Sequence, residues 1–88
     1  MRTHVVTTSI DNLELKYFKT VLQPEVEGPC YYGVLVEKLV SGELVEKMES
    51  GPVCEDDEII SEAIELLAEN DVMPFTLLEV LDEMEVFH

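Results

Sequence analysis

Four glutamates, Glu58, Glu62, Glu65 and Glu69, follow one another at intervals of four, three and four residues. At roughly 100° per helical residue this spacing gathers them into a stripe about 60° wide. Carboxylates in such a row can hold divalent cations loosely. They can also dock a basic partner, with electrostatic steering of the encounter. Glu58–Glu62 and Glu65–Glu69 are like-charge pairs four apart, each costing about 0.2–0.5 kcal/mol in a helix. The competing reading is a solvated face whose single sign of charge serves solubility alone.

Other chemistry-bearing residues form no comparable pattern. The run CEDDEIISEAIE invites a calcium loop. That loop needs an oxygen ligand at position five and glycine at position six. Counted from Asp56, those positions hold Ile60 and Ser61, so the motif fails. Cys30 and Cys54 each follow a Gly-Pro step, and His4 and His88 show no ligand spacing. A structural zinc site takes four ligands at recognisable intervals. Two cysteines without a secretion signal read as reduced thiols at the core or its rim. No Ser-His-Asp set and no glycine-rich phosphate loop is present. The expectation is a protein that is not an enzyme, with no cofactor and no metal.

The charge balance sharpens the same picture. The chain has 88 residues and a formal net charge of −15. Residues 1–47 hold all five basic residues against seven acids, a net of −2. Residues 48–88 hold thirteen acids and no Lys or Arg, a net of −13. Nucleic acids and anionic membranes need Lys and Arg to neutralise phosphate, so neither is an expected partner. The hydrophobic fraction of 47% is too high for a disordered acidic tail. No apolar run approaches the ~20 residues of a membrane span. The opening MRTHVVTTSIDNLEL has no apolar leader segment and no small-residue cleavage site. A cytoplasmic protein of one domain, residues 1–88, is the expectation.

The elements that must position the acidic stripe follow from periodicity. THVVTTSI at 3–10 is rich in β-branched residues, and LELKYFKTVL at 13–22 alternates. A turn at Asp11-Asn12 would set Ile10 opposite Leu13 and Val6 opposite Tyr17. QPEVEGP at 23–29 reads as a loop. GVLVEKLVSGELVEKMES at 33–50 carries LVEK twice and cannot run as one helix through Gly42 without penalty.

As a hairpin it has two registers. Val40 opposite Glu43, across Ser41-Gly42, sets Glu37 against Glu46. Val40 opposite Leu44, across a three-residue loop at Ser41 to Glu43, sets Lys38 against Glu46, Glu37 against Lys47 and Val36 beside Met48. Cross-strand pairs are worth about 0.2–1 kcal/mol, which favours the charge-matched register. Tyr32, Val34 and Val36 then face the helices. The sum of residue numbers in that register also brings Cys30 and Cys54 towards one another.

Residues 56–69 show a helical period, with Ile59, Ile60, Ala63, Ile64, Leu66 and Leu67 on one arc. Asp56 and Asp57 suit its N-terminal end, and Asn70 suits its stop. Pro74 opens a second helix, 74–86, with Leu77, Val80, Leu81, Met84 and Phe87 in one stripe. The expected architecture is α+β: an antiparallel β-meander of about four strands over 3–50, then two amphipathic helices packed on one sheet face.

Two patches carry a family resemblance. YYGVLVEK at 31–38 has a Tyr-Gly step that opens a strand. VMPFTLLEVLDEM at 72–84 has Val72, Pro74, Leu77, Glu79, Val80, Leu81 and Glu83 in a closing pattern. Over residues 30–84 the chain thereby resembles a family of short bacterial proteins, found mainly in Firmicutes, that carries a domain-of-unknown-function label. Thr76 stands where that family favours His. The resemblance implies no activity and no site residues.

The residues therefore point to a small interaction or regulatory module. It would dock a basic protein partner on Glu58, Glu62, Glu65 and Glu69, and pair as a homodimer through an exposed strand edge or apolar helix rim. A structural domain without a charged partner is the alternative, and an enzyme with an unrecognised site stands third.

Overall fold

The computed structural model of the protein describes residues 1–84. Four strands, β1 (Arg2–Ile10), β2 (Leu13–Leu22), β3 (Tyr31–Val40) and β4 (Glu43–Glu49), are followed by two helices, α1 (Asp57–Glu69) and α2 (Leu77–Glu83). The strands pair antiparallel in the order β1-β2-β3-β4, so the sheet is a meander. The fold is α+β, as the periodicities imply. Phe87, the last residue of the expected second stripe, and His88 lie outside the described residues.

The first hairpin turns at Asp11-Asn12 with Ile10 opposite Leu13 and Val6 opposite Tyr17. Asp11 takes a left-handed backbone, φ 54°, a conformation that Asp tolerates better than most residues. A bulge between His4 and Val6 then shifts the register, leaving Val5 as the extra residue.

The second hairpin corrects the expectation of a three-residue loop. Ser41 (φ 51°) and Gly42 (φ 83°) form a two-residue turn with both central residues left-handed, the type I′ geometry that matches strand twist. Val40 pairs with Glu43 and Leu39 with Leu44. A bulge at Val45 then restores the charge-matched register, with Lys38 opposite Glu46, Glu37 opposite Lys47 and Val36 opposite Met48. The tight turn and the favourable charge pairs were set against each other in the sequence. One extra residue in β4 lets both stand.

Val6, Tyr17, Val36 and Met48 thus line up across the sheet on the side that the helices cover. Val34, Val36 and Tyr17 are fully buried there, and Tyr32 packs at the rim of the same core. α1 lies over β1, β2 and β3, and the Pro74–Thr76 turn over β3 and β4. Ile60, Ala63, Ile64, Leu67 and Ala68 are the residues α1 buries.

The expected arc was too wide on one flank. Ile59 and Leu66 are 39% and 48% exposed, and Ala68 is buried in their stead. A helix resting on a sheet covers only one side, and the contact is rotated towards Ala68. The second helix also differs. Pro74–Thr76 is a 3-10 turn and the α-helix starts at Leu77. Leu77 and Leu81 are fully buried, with Val80 and Met84 packed beside them.

The other sheet face has its own small cluster. Phe18 and Leu35 are buried although neither α1 nor α2 covers them. The Arg2 guanidinium lies 4.6 Å from the Phe18 ring centroid and pairs with Glu37 at 3.1 Å. The His4 ring meets the edge of Phe18 at 5.5 Å. A stacked arginine keeps its charge in contact with water while its plane shields the ring.

Candidate functional site

The acidic stripe is carried by a helix that is fixed at both ends. Asp56 is the N-cap, its carboxylate accepting from the N–H groups of Glu58 (2.9 Å) and Ile59 (3.3 Å). At the other end Asp71 takes φ 48°. The Asp71 N–H donates to the Ala68 carbonyl and the Val72 N–H to the Leu67 carbonyl. That pair of bonds is a Schellman closure, and buried Val72 lies in the same core cluster as Leu67, the apolar contact that often accompanies such closures. The Asn70 amide adds a bond to the Leu66 carbonyl at 2.8 Å. Asn70 ends the helix as the sequence implied, but the left-handed residue is Asp71.

On this helix Glu58, Glu62, Glu65 and Glu69 are all exposed, on the side away from the buried arc. None of the five basic residues lies on α1 or α2. Two ion pairs occur among the described residues, Arg2–Glu37 and Lys19–Asp57. The first lies on the far face of the sheet. The second joins β2 to the first turn of α1, at 2.5 Å. Among the described residues no ion pair compensates the stripe itself.

Lys19 is the residue that sequence reasoning missed. It shares the alternation of Leu15 and Tyr17 and so points to the helix-covered side. A charge on that side of a strand demands a partner, and this was the signal available. Its ammonium is held by Asp57 and stands 5.6 Å from the Tyr32 ring centroid.

Beside this corner lies a groove of about 760 Å³, bounded by Tyr31, Tyr32, Pro52, Asp57 and Ile59, with Glu55 and Asp56 on its rim. The groove adjoins Glu58 along the chain. Aromatic faces and carboxylates together are the surroundings that a Lys or Arg side chain prefers.

The remaining candidates stand apart. Cys30 and Cys54 are both free thiols, Cys54 buried and Cys30 partly so. An isolated bridge pairs Cys54 with Tyr32 rather than with Cys30, and the Cys54 thiol donates to the Asp56 carbonyl at 3.5 Å. His4 meets the Thr7 hydroxyl at 2.7 Å on exposed β1. Among the described residues no three His, Cys, Asp or Glu side chains are grouped to hold a metal ion. A second groove, of about 560 Å³, opens on the far sheet face between Arg2, Leu35 and Lys47. Among the described residues no helix is long and apolar enough to cross a membrane.

No curated protein and no solved structure matches the chain. One family model does match, over residues 2–85, nearly the whole chain and wider than the two patches that carried the resemblance. The protein therefore belongs to a family of unknown function (DUF6514).

Proposed function

We propose that the protein is a small cytoplasmic interaction or regulatory module that docks a basic protein partner on α1, and that it performs no catalysis of its own. The observation that carries this reading is the exposed, uncompensated stripe of Glu58, Glu62, Glu65 and Glu69 on a helix capped at both ends. A capped helix presents its carboxylates on a backbone that is already ordered. Opposite charge steers a basic partner to the surface, and the attraction weakens as salt rises. Lys19 supports the reading from within the chain. Its contacts with Asp57 and Tyr32 show this corner holding an ammonium between a carboxylate and an aromatic ring. The free thiols suit a reducing compartment.

The test compares the native protein with a variant carrying Glu58→Gln, Glu62→Gln, Glu65→Gln and Glu69→Gln, each immobilised in cell lysate. The expected result is a basic protein retained by the native chain at low salt, released at high salt and not retained by the variant. Equal retention by both chains, or retention that salt does not weaken, would contradict docking on α1 and leave the acids a solubilising surface.

A further inference from the structure

The two edges of the sheet are not alike. β4 is seven residues long, carries Glu43, Glu46, Lys47 and Glu49, and is broken by the bulge at Val45. Short length, charge and bulges are the usual guards against an edge pairing with another strand. β1 is nine residues long, and after Arg2 it holds no Asp, Glu, Lys or Arg. In a chain with 28% charged residues that is a conspicuous gap. Its bulge sits at Val5, which leaves Val6–Ile10 as five residues in unbroken register with β2.

Among the described residues no strand pairs with the outer edge of that stretch, and its outward hydrogen-bonding groups sit at known positions. In the Asp11-Asn12 turn the Ile10 carbonyl faces the Leu13 N–H. By alternation Ile10, Thr8 and Val6 direct their backbone groups to β2, and Thr7 and Ser9 direct theirs outward.

We infer that β1 is a self-association edge, pairing antiparallel with β1 of a second copy about a twofold axis at Thr8. Thr7 of each copy then exchanges backbone hydrogen bonds with Ser9 of the other. Val6 faces the other copy's Ile10 on the helix-covered side, where Ile10 is 48% exposed in the single chain. The result is a continuous eight-stranded sheet with β4 at both ends.

Self-complementarity selects the occupant. The edge turns outward at Thr7 and Ser9, symmetric about Thr8, and a second β1 presents the same groups in the matching order with no acid at the contact. Twofold pairing is self-complementary and closes at two copies. The rest of each copy still repels the other, so self-association strengthens as salt screens the two bodies. Docking of a basic partner on α1 weakens with salt, so the two interactions are separable by one variable.

Sedimentation equilibrium over a concentration series, at low and high sodium chloride, tests this. The mass should rise from the 10.0 kDa monomer towards a dimer with protein concentration, and at lower concentration in high salt. Thr7→Pro removes an outward N–H from an edge strand, where proline is tolerated. Thr7→Glu places an acid on the same stretch, opposite Lys16 of its own chain, and adds to the repulsion between copies. Each should weaken dimerisation at least tenfold while the melting temperature stays near that of the native chain. If Thr7→Pro unfolds, Thr7→Glu decides alone. A native chain that stays monomeric at all concentrations and salts would overturn the proposal. So would dimerisation that Thr7→Glu leaves unchanged, or open-ended association beyond the dimer, which would place the contact elsewhere.

Discussion

Tyr17 joins the two layers of the protein at a single oxygen. Its ring is fully buried on β2, and its hydroxyl donates to the Val72 carbonyl at 3.1 Å, just beyond the closure of α1. Burial, with the Asp71 carboxylate adding to it and the Thr8 hydroxyl opposing, pushes the phenol up from 10.0 to about 12. The folded state therefore favours the neutral phenol. Its contribution is complete below pH 10, the unfolded value, and is lost as pH rises towards 12. Tyr17→Phe should cost about 1–2 kcal/mol in urea unfolding at neutral pH, because a buried carbonyl loses its donor. It should also flatten the alkaline fall in stability between those two pH values. Full neutral stability with an unchanged alkaline limb would show that the bond to Val72 holds nothing together.

At the scale of elements, the chain after β4 presses on β3. The Val34 N–H donates to the Ser50 hydroxyl, and the Ser50 N–H to the Val34 carbonyl. Gly51, at φ 73°, then crosses Gly33 so closely that a Cβ on Gly33 would lie 2.1 Å from the Gly51 carbonyl oxygen. That contact is the physical content of the Tyr-Gly step in YYGVLVEK. Gly33→Ala must displace backbone, so it should destabilise by about 1–3 kcal/mol, the usual cost of overpacking. Chemical unfolding measures it, and Gly42→Ala fails for a different reason, its left-handed φ with open space around it.

Much of this level was legible in the sequence. Alternation placed Leu15, Tyr17, Val34 and Val36 correctly, because a strand with one covered face repeats every two residues. The bulges at Val5 and Val45 were not legible, since an extra residue leaves no mark on composition. The partner of Lys19 was hidden for a related reason: it depends on where α1 crosses the sheet. The stripe on α1 was legible in full, because Glu58, Glu62, Glu65 and Glu69 lie on one helix and need no tertiary information. Its neighbouring groove, built from Tyr31, Tyr32 and Pro52, needed the folded chain.

For the whole molecule the governing fact is the separation of charge. All five basic residues lie on the sheet, while both helices carry acids alone. Folding brings the acids of α1 and α2 into one layer of a body 18 Å across its thinnest direction, whereas the unfolded chain spreads them out. The exposed repulsion is screened over about 8 Å near physiological ionic strength. Its relief by salt is therefore the most direct reading of the surface on which the docking proposal rests. The measurement is the melting temperature against sodium chloride for the native chain and for Glu62→Gln/Glu65→Gln. The melting temperature of the native chain should rise with salt. The double variant should start higher at low salt and respond less. If salt moves neither protein, the carboxylates are not a concentrated uncompensated charge, and docking of a basic partner on α1 is contradicted.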